Sequence, residues 1–344
     1  MAGMFIQKLD RASPTHYIGK GKIAELISLK EQTQYNTVIF DDELSPRQQR
    51  NLEELLQVKV IDRTTLILDI FARQARTREG QLQVELAQHQ YLLPRLVGQW
   101  SHLERLGAGI GTRGPGESQL ETDRRFIHKR INHIQHELEN IQRHRALYRK
   151  RRKEKGASIV ALVGYTNGGK STLFNVLSKA GVMVEDKLFS TLDPVTRRLT
   201  LPNGQQFLIT DTVGFIHKLP PSIIAAFRAT LEELNEADLL LHIVDITHKN
   251  VANQCLTVGE ILTELNLKDK PIITVFNKLD LALSSEAELE ALSSVPCFEE
   301  QIVLPDKNIA LISATKGWGV KTLLRKISSH LDTVLMPGTT AEVG

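Results

Sequence analysis

The sequence is poor in cysteine and has no long apolar run. Its two cysteines, Cys255 and Cys297, belong to no CxxC pair, which argues against a disulfide framework or a zinc site. No stretch reaches the roughly 18 apolar residues that cross a bilayer, and the opening residues, MAGMFIQKLD, lack the apolar core of a signal peptide. We therefore expect a cytoplasmic protein without a membrane span.

The excess of charge of one sign is also small. The net charge is +3, so the charge total alone indicates no partner. The positive charge is nevertheless concentrated, because the stretch from Arg143 to Lys155 holds eight Lys or Arg residues and one acid, Glu154. Such a run is as typical of a solvated helix face or a linker as of a nucleic-acid contact. The residues alone leave both interpretations open.

Apolar periodicity divides the 344 residues into three predicted domains and a tail. Residues 1–80 alternate short apolar strands with helical stretches and predict a small α/β domain. Residues 81–155 carry two helical seams and predict a long antiparallel helical hairpin, with a Gly-rich tip at 107–117. Residues 156–334 predict a second α/β domain with a mostly parallel, doubly wound sheet. Residues 335–344 are expected to form a flexible tail.

The two seams of the predicted hairpin differ in one respect. The first runs from Leu82 to Leu103 and contains Pro94, where we expect a kink or a restart of the helix. The second runs without interruption from Ile127 to Ile141. For the Gly-rich tip, an exposed contact surface and a flexible linker are both open interpretations.

A phosphate-binding motif follows the first strand of the second α/β domain. The segment GYTNGGKS matches G-x-x-x-x-G-K-[ST] and lies between the apolar stretch Ser158–Val163 and a helical run. Backbone N–H groups of such a loop surround phosphate oxygens, while Lys170 should reach the β- and γ-phosphates and Ser171 should ligate Mg²⁺. The predicted nucleotide contacts here are Gly164, Tyr165, Thr166, Asn167, Gly168, Gly169, Lys170, Ser171 and Thr172.

Two further segments complete a predicted magnesium site. DTVG, at residues 211–214, follows an apolar strand, so Asp211 can hold Mg²⁺ and the Gly214 N–H can bind the γ-phosphate. Thr191, in FSTLDP, lies between this motif and the P-loop and is the natural additional ligand; an ordinary loop threonine is the alternative. The predicted metal ligands are Ser171, Thr191 and Asp211.

The tetrapeptide NKLD, at residues 277–280, distinguishes guanine from adenine. Asp280 can accept hydrogen bonds from N1–H and the 2-amino group of guanine, and adenine has no such pair of donors. At about 1.5–3 kcal/mol for each charge-assisted bond, two bonds favour guanine by roughly 10²–10⁴-fold. We expect Asn277 to brace the P-loop and Lys278 to lie over the purine. The remaining predicted base contacts are Ser313, Ala314 and Thr315. The backbone N–H of Ala314 is expected to meet the base oxygen.

The same motifs predict slow hydrolysis of the nucleotide. Where Ras-like proteins carry a water-orienting glutamine, this chain has Phe215, which cannot orient a nucleophile by hydrogen bonding. Asn167 can instead ligate a potassium ion, as in GTPases whose P-loops resemble this one. The predicted catalytic residues are Lys170, Thr191, Gly214 and Asn167.

Five segments together resemble one family, HflX in the Obg–HflX group of GTPases, over nearly the whole chain. They are YIGKGKIAEL, GIGTRGPGESQLETDRR, GYTNGGKSTLFN, FSTLDPVTRR and DTVGFIHKLP. The second is the most specific, because the nucleotide motifs alone fit many GTPases. The resemblance implies a P-loop GTPase domain preceded by a smaller α/β domain and the hairpin. Against the family pattern, the first strand and helix of the N-terminal domain look absent, and the tail is too short for the extra C-terminal domain of some relatives.

The resemblance also implies partners and a task. It implies binding to the large ribosomal subunit and its rRNA, and separation of ribosomal subunits under stress in a GTP-linked cycle. We also expect a monomer that does not bind DNA. The RNA contacts expected on this basis are Thr112, Arg113, Arg149, Lys150, Arg151, Arg152 and Lys153. Two alternatives stay open. One is a regulatory GTPase that acts on a protein partner with little turnover; the other is ATP binding near Lys20 and Lys22, where a helix-entry turn is the competing interpretation.

Overall fold

The structure is a computed structural model that divides into two compact units. It describes residues 3–8, 11–96, 115–154, 157–178, 193–215, 223, 234–293 and 308–335, of which 115–120, 148–154, 292–293 and 333–335 are described by their backbone. Unit 1 comprises Met1–Arg73, Gln81–Asn140 and Pro220–Ala226, and unit 2 comprises Gln74–Gly80, Ile141–Leu219 and Phe227–Gly344. These units reflect contacts rather than independent folding, so the domain bounds predicted above stay predictions.

The first part of unit 1 is a small α/β layer. Its elements are α1 Lys20–Thr33, β1 Thr37–Ile39, α2 Pro46–Leu56, β2 Lys59–Ile61 and α3 Arg63–Gln74. The two strands pair in parallel, with Val38 opposite Val60. A capping box begins α2: the Ser45 hydroxyl accepts the N–H of Gln48, and the Gln48 side chain accepts the N–H of Ser45. The predicted alternation of strands and helices is confirmed here.

Two helices form the predicted antiparallel hairpin. They are α4 Arg78–Leu92, which passes into a 3₁₀ turn at Leu93–Arg95, and α5 Pro115–Glu154. Arg130 donates to both carboxylate oxygens of Glu85, at 2.6 and 2.8 Å, and Arg145 pairs with Glu79 at 2.7 Å. Because the partner numbers fall as the α4 numbers rise, the helices run in opposite directions. Neither α5 nor any other helix among the described residues is long and apolar enough to cross a bilayer.

Unit 2 contains a six-stranded, mostly parallel sheet. Its strands are β3 Ser158–Gly164, β4 Val195–Thr200, β5 Gln206–Asp211, β6 Leu239–Asp245, β7 Ile272–Asn277 and β8 Ile309–Leu311. The described helices of this unit are α6 Lys170–Ser178, α7 Val251–Glu264, α8 Glu286–Ser293 and α9 Val320–Leu335, with a 3₁₀ turn at Leu279–Leu281. The strand order is β4-β5-β3-β6-β7-β8, and each neighbouring pair is parallel except β4 with β5. The predicted doubly wound α/β architecture is confirmed.

The strand order explains where a ligand can bind. The central strands β3 and β6 read SIVALVG and LLLHIVD and are almost wholly buried, as is typical of parallel strands covered by helices on both faces. After β3 the chain forms β4 and β5 on one side of β3 and then crosses to β6 on its other side. The end of β3 is therefore a topological switch point. In open α/β sheets, ligands bind beyond the carboxyl ends of the strands at such a point.

The edge strand β4 was not predicted from the sequence. Its residues, VTRRLT, are half-buried or exposed, so they lack the apolar run that revealed the other strands. The strand is held at the sheet edge by antiparallel pairing with β5, in which Val195 lies opposite Asp211. The tight turn between the two strands includes Gly204, whose φ of +85° favours glycine.

Candidate functional site

The P-loop forms the turn between β3 and α6, and two of its glycines are sterically required. Gly164 has a φ of +146° and Gly169 a φ of +94°, values that L side chains rarely adopt. A Cβ on Gly164 would collide with the Ile243 carbonyl oxygen of β6, and one on Gly169 would collide with the Asn277 side-chain amide. The loop therefore lies close to β6 and β7, with its N–H groups at the start of a helix that favours anions.

Lys170, the first residue of α6, is buried beside this loop. Its Nζ donates to the carbonyl oxygens of Gly164 at 3.1 Å and Tyr165 at 2.9 Å. Burial lowers the pKa of Lys170 to about 8, and the charge of Asp211 acts in the opposite direction. An ammonium held mainly by neutral carbonyls in a buried position is well suited to an anionic ligand that compensates its charge.

Ser171 and Asp211 bring together two of the predicted metal ligands. Ser171 is the second residue of α6 and Asp211 the last residue of β5, and the Ser171 hydroxyl donates to Asp211 Oδ2 at 2.7 Å. Both side chains are buried. A hydroxyl and a carboxylate at this end of the sheet fit the oxygen ligands that Mg²⁺ prefers. Thr191, the third predicted ligand, lies outside the described residues.

Gly214 and Phe215 continue from β5 past the P-loop. A Cβ on Gly214 would lie 2.9 Å from Lys170 Nζ and from the Thr166 Cα, so the chain can pass here only as glycine. Phe215 donates its N–H to the Gly164 carbonyl at 3.0 Å and accepts the Thr166 N–H at 2.8 Å. Its ring is 1% exposed. Phe215 is thus a core residue that ties this segment to the P-loop, a role that no local pattern in the sequence indicated.

The predicted base-binding residues also meet, at the ends of β7 and β8. Asn277 donates to the Gly168 carbonyl at 3.0 Å, which ties the end of β7 to the P-loop. The Ser313 hydroxyl donates to Asp280 Oδ1 at 2.6 Å and thereby orients that carboxylate. The Ala314 N–H, predicted to meet the base oxygen, donates to Asn277 Oδ1 at 2.9 Å. Its assignment to the base stays a prediction.

For the remaining predicted residues that the structure describes, it gives a position but no contact that bears on the predicted role. Asn167 is exposed with a φ of +61°, Thr172 is half-buried on α6, and Thr315 is exposed after β8. Thr112 and Arg113 lie outside the described residues. The backbone of Arg149–Lys153 belongs to α5, and their side chains are not described. Lys20 begins α1 after Gly19, as the helix-entry interpretation expects.

An ion pair that no sequence motif indicated lies beside the base-binding residues. Lys278 pairs with Asp245, the last residue of β6, with 2.8 Å between Nζ and Oδ2. The two residues are 33 positions apart in the numbering, and only the parallel pairing of β6 with β7 brings them together.

Models of three protein families match the chain in succession. GTP-binding GTPase N-terminal matches residues 1–72, GTP-binding GTPase Middle Region matches 74–152, and 50S ribosome-binding GTPase matches 159–278. In fold, the chain is similar to the crystal structure of the SsGBP and GDP complex, with a TM-score of 0.52 and 27% identity over 94% of this chain and 89% of that one.

Curated relatives agree with the family models. The chain is 53% identical to the GTPase HflX of Caldanaerobacter subterraneus over 81% of this chain and 65% of the relative. It is 44% identical to the GTPase HflX of Escherichia coli over 92% of this chain and 72% of the relative. It therefore spans about two thirds of the length of the relatives it matches. Both the three successive domains and these identities show that the chain belongs to the HflX family of GTPases.

Proposed function

We propose that the chain binds GTP with Mg²⁺ and hydrolyses it to GDP and phosphate. One observation carries the proposal: three charged residues lie at the carboxyl ends of different strands of one sheet. They are Lys170 after β3, Asp211 at the end of β5 and Asp280 after β7. Each has a buried or oriented side chain, and each suits one part of the nucleotide, namely the phosphates, the metal and the base. Motifs that match by chance have no reason to converge in this way.

Each group then has a defined task in binding. P-loop N–H groups and Lys170 bind the phosphates, Asp280 reads the Watson–Crick edge of guanine, and Asn277 keeps the P-loop in place. Ser171 and Asp211 hold Mg²⁺, together with Thr191, and the ion neutralises charge that develops on the phosphates. Asn167, exposed on the P-loop, is proposed as the ligand of a potassium ion. Equal hydrolysis rates in KCl and NaCl would remove that last assignment.

Turnover by the chain alone is proposed to be slow. The buried ring of Phe215 and its two backbone hydrogen bonds leave that position without a group that can orient water. A partner is therefore expected to complete the arrangement, as in GTPases that receive a catalytic group in trans. Binding, by contrast, needs only the residues already brought together.

We propose the large ribosomal subunit as this partner, and separation of ribosomal subunits in the cytoplasm as the task. The match to a family of 50S ribosome-binding GTPases supports the partner. The basic run near the end of α5, with Arg149, Lys150, Arg151, Arg152 and Lys153, and the tip residues Thr112 and Arg113 are proposed to contact rRNA through its backbone and shape.

Density-gradient sedimentation tests the partner and its nucleotide dependence together. Ribosomes are centrifuged with the protein in the presence of a non-hydrolysable GTP analogue, GTP or GDP. We expect co-sedimentation with the large subunit in the GTP-analogue sample, and a variant with Arg149–Lys153 changed to Gln should bind with a reduced salt dependence. Absence of the protein from the large-subunit fractions in every nucleotide state would contradict the proposal and favour a switch that acts on a protein partner.

A further inference from the structure

Asp245 occupies a position set by strand register. It is the last residue of β6 and lies opposite Asn277, the last residue of β7. Lys278 follows at once, with a φ of +68° that turns the chain away from the strand direction. The next N–H along β6, from Ile246, still donates to the Asn277 carbonyl at 3.3 Å. Asp245 is therefore held beside Lys278 by the sheet itself.

Hydrogen bonds from Thr247 orient the carboxylate of Asp245 independently of the lysine. Its Oδ1 accepts the Thr247 N–H at 3.0 Å and the Thr247 hydroxyl at 2.7 Å. Its Oδ2 lies 2.8 Å from Lys278 Nζ. Burial alone raises the pKa of Asp245, but hydrogen bonds from Lys278 and Thr247 outweigh it and lower the pKa below its usual value. Asp245 therefore presents a fixed negative charge to the lysine.

This pair differs from an ordinary surface ion pair. The side chains of Lys278 and Asp245 are 25% and 13% exposed, so solvent screens them less than most exposed pairs. A free lysine side chain samples many rotamers, and a ligand that needs one of them must first restrict the others. Lys278, paired with Asp245, has already lost much of that freedom.

The other carboxylate of the base site has a partner of its own. Asp280, two residues after Lys278, is the carboxylate proposed to read guanine and receives the Ser313 hydroxyl on Oδ1. Lys278 and Asp280 are therefore held by separate contacts, the first by Asp245 and the second by Ser313.

We propose that Asp245 is a positioning residue for purine binding, acting through Lys278. It holds the lysine stem as one wall of the base pocket. The inference rests on the guanine-nucleotide binding proposed above and extends it to a residue outside the recognised motifs. Lys278 would contact the face of the base, which guanine and hypoxanthine share. Loss of Asp245 should therefore weaken GDP and IDP binding equally. Loss of Asp280, which reads the base edge, should not.

Equilibrium binding of GDP and IDP to the full chain tests this distinction. IDP lacks the 2-amino group that Asp280 is proposed to bind. We expect Asp245→Asn to weaken GDP and IDP by the same factor, about 5- to 10-fold, because a neutral acceptor replaces a charged one. Asp280→Ala should instead bring the GDP and IDP affinities together. An Asp245→Asn protein with unchanged GDP affinity, or with a changed ratio of GDP to IDP affinity, overturns the inference.

A double-mutant cycle tests whether Asp245 acts through Lys278. In a Lys278→Met background, which keeps an apolar stem without the charge, Asp245→Asn should have no further effect on GDP affinity. A full 5- to 10-fold loss in that background contradicts the mechanism. If Asp245→Asn does not fold, Thr247→Val serves instead, with a smaller loss expected for GDP and IDP alike; no loss overturns the inference. Failure of the unaltered chain to bind GDP refutes the proposed function itself.

Discussion

The phosphate side and the base side of the site hold their lysines in different ways. Lys170, on the phosphate side, donates to two neutral carbonyl oxygens, and burial lowers its pKa to about 8. Lys278, on the base side, is partly exposed and has a carboxylate of its own in Asp245. The base side is thus arranged by the protein itself, while the phosphate side carries a charge that an anionic ligand is suited to compensate.

The largest expected effect separates the two lysines. Lys170→Met should reduce GTP affinity on the order of 10³-fold, because several charge-assisted bonds to phosphate are lost. At pH 7 without nucleotide, the same variant should be more stable than the unaltered chain by about 1–3 kcal/mol, since a buried charge is removed. Titration calorimetry and urea unfolding measure the two quantities. A destabilised Lys170→Met would contradict the contrast between the lysines.

The pH dependence of stability gives a second signature of Lys170. Its pKa is about 8 in the folded protein, against 10.5 for an unperturbed lysine such as that of the unfolded chain. The unfolded chain therefore binds more protons between these two pH values. Stability should therefore rise with pH across this window. Urea unfolding at pH 7.5, 8.5 and 9.5 measures this dependence. The free energy of unfolding should rise less with pH in Lys170→Met than in Lys278→Met, which is the matched control.

The base side is tested by its edge-reading carboxylate. Asp280→Asn should weaken GDP binding by about 100-fold and allow xanthosine diphosphate to bind, because the new amide can donate to the additional carbonyl of xanthine. Competition against a fluorescent nucleotide measures both. Unchanged preference for GDP over xanthosine diphosphate would show that Asp280 does not contact the base.

A buried histidine beneath the phosphate side should limit stability in acid. His242, on β6, is buried, and burial together with the charge of Lys170 lowers its pKa to about 4 from 6.5. Stability contributed by its neutral form is present above pH 6.5 and is lost as the pH falls toward 4. The loss at pH 5 is on the order of 2 kcal/mol. His242→Leu should flatten this dependence in unfolding measurements between pH 5 and 7; an unchanged slope contradicts it.

The smallest effect concerns the contact between Asp193 and the start of α4. Asp193, just after the segment that carries Thr191, accepts the N–H groups of Arg76 and Thr77, each at 2.9 Å. A Cβ on Gly80 would collide with its carboxylate. Gly80→Ala should therefore reduce stability by about 1–2 kcal/mol. In an Asp193→Ala background, thermal unfolding should show the substitution at Gly80 to be nearly neutral; an equal loss in both backgrounds argues against the contact.

The strands that carry the candidate site could be predicted where motif and apolar strand are contiguous in the sequence. The P-loop, DTVG and NKLD each place their key residues within a few positions of a strong apolar strand, so the strand ends and the candidate site residues could be predicted together. Contacts set by strand register were not accessible: Asp245 meets Lys278, and Phe215 joins the P-loop, only after β6, β7 and β5 take their places. The edge strand β4 was missed because its residues are too polar to show a buried face.

Release of phosphate from GTP by the full chain, alone and with purified large ribosomal subunits, tests the central claim most directly. Equal concentrations of ATP serve as the control for the base. We predict slow hydrolysis of GTP alone, stimulation of at least about tenfold by large subunits, since orientation and charge stabilisation by a partner typically exceed that factor, and little hydrolysis of ATP in either case. Equal hydrolysis of ATP and GTP, or a GTP rate indifferent to large subunits, would contradict a guanine-specific site whose turnover depends on the ribosome.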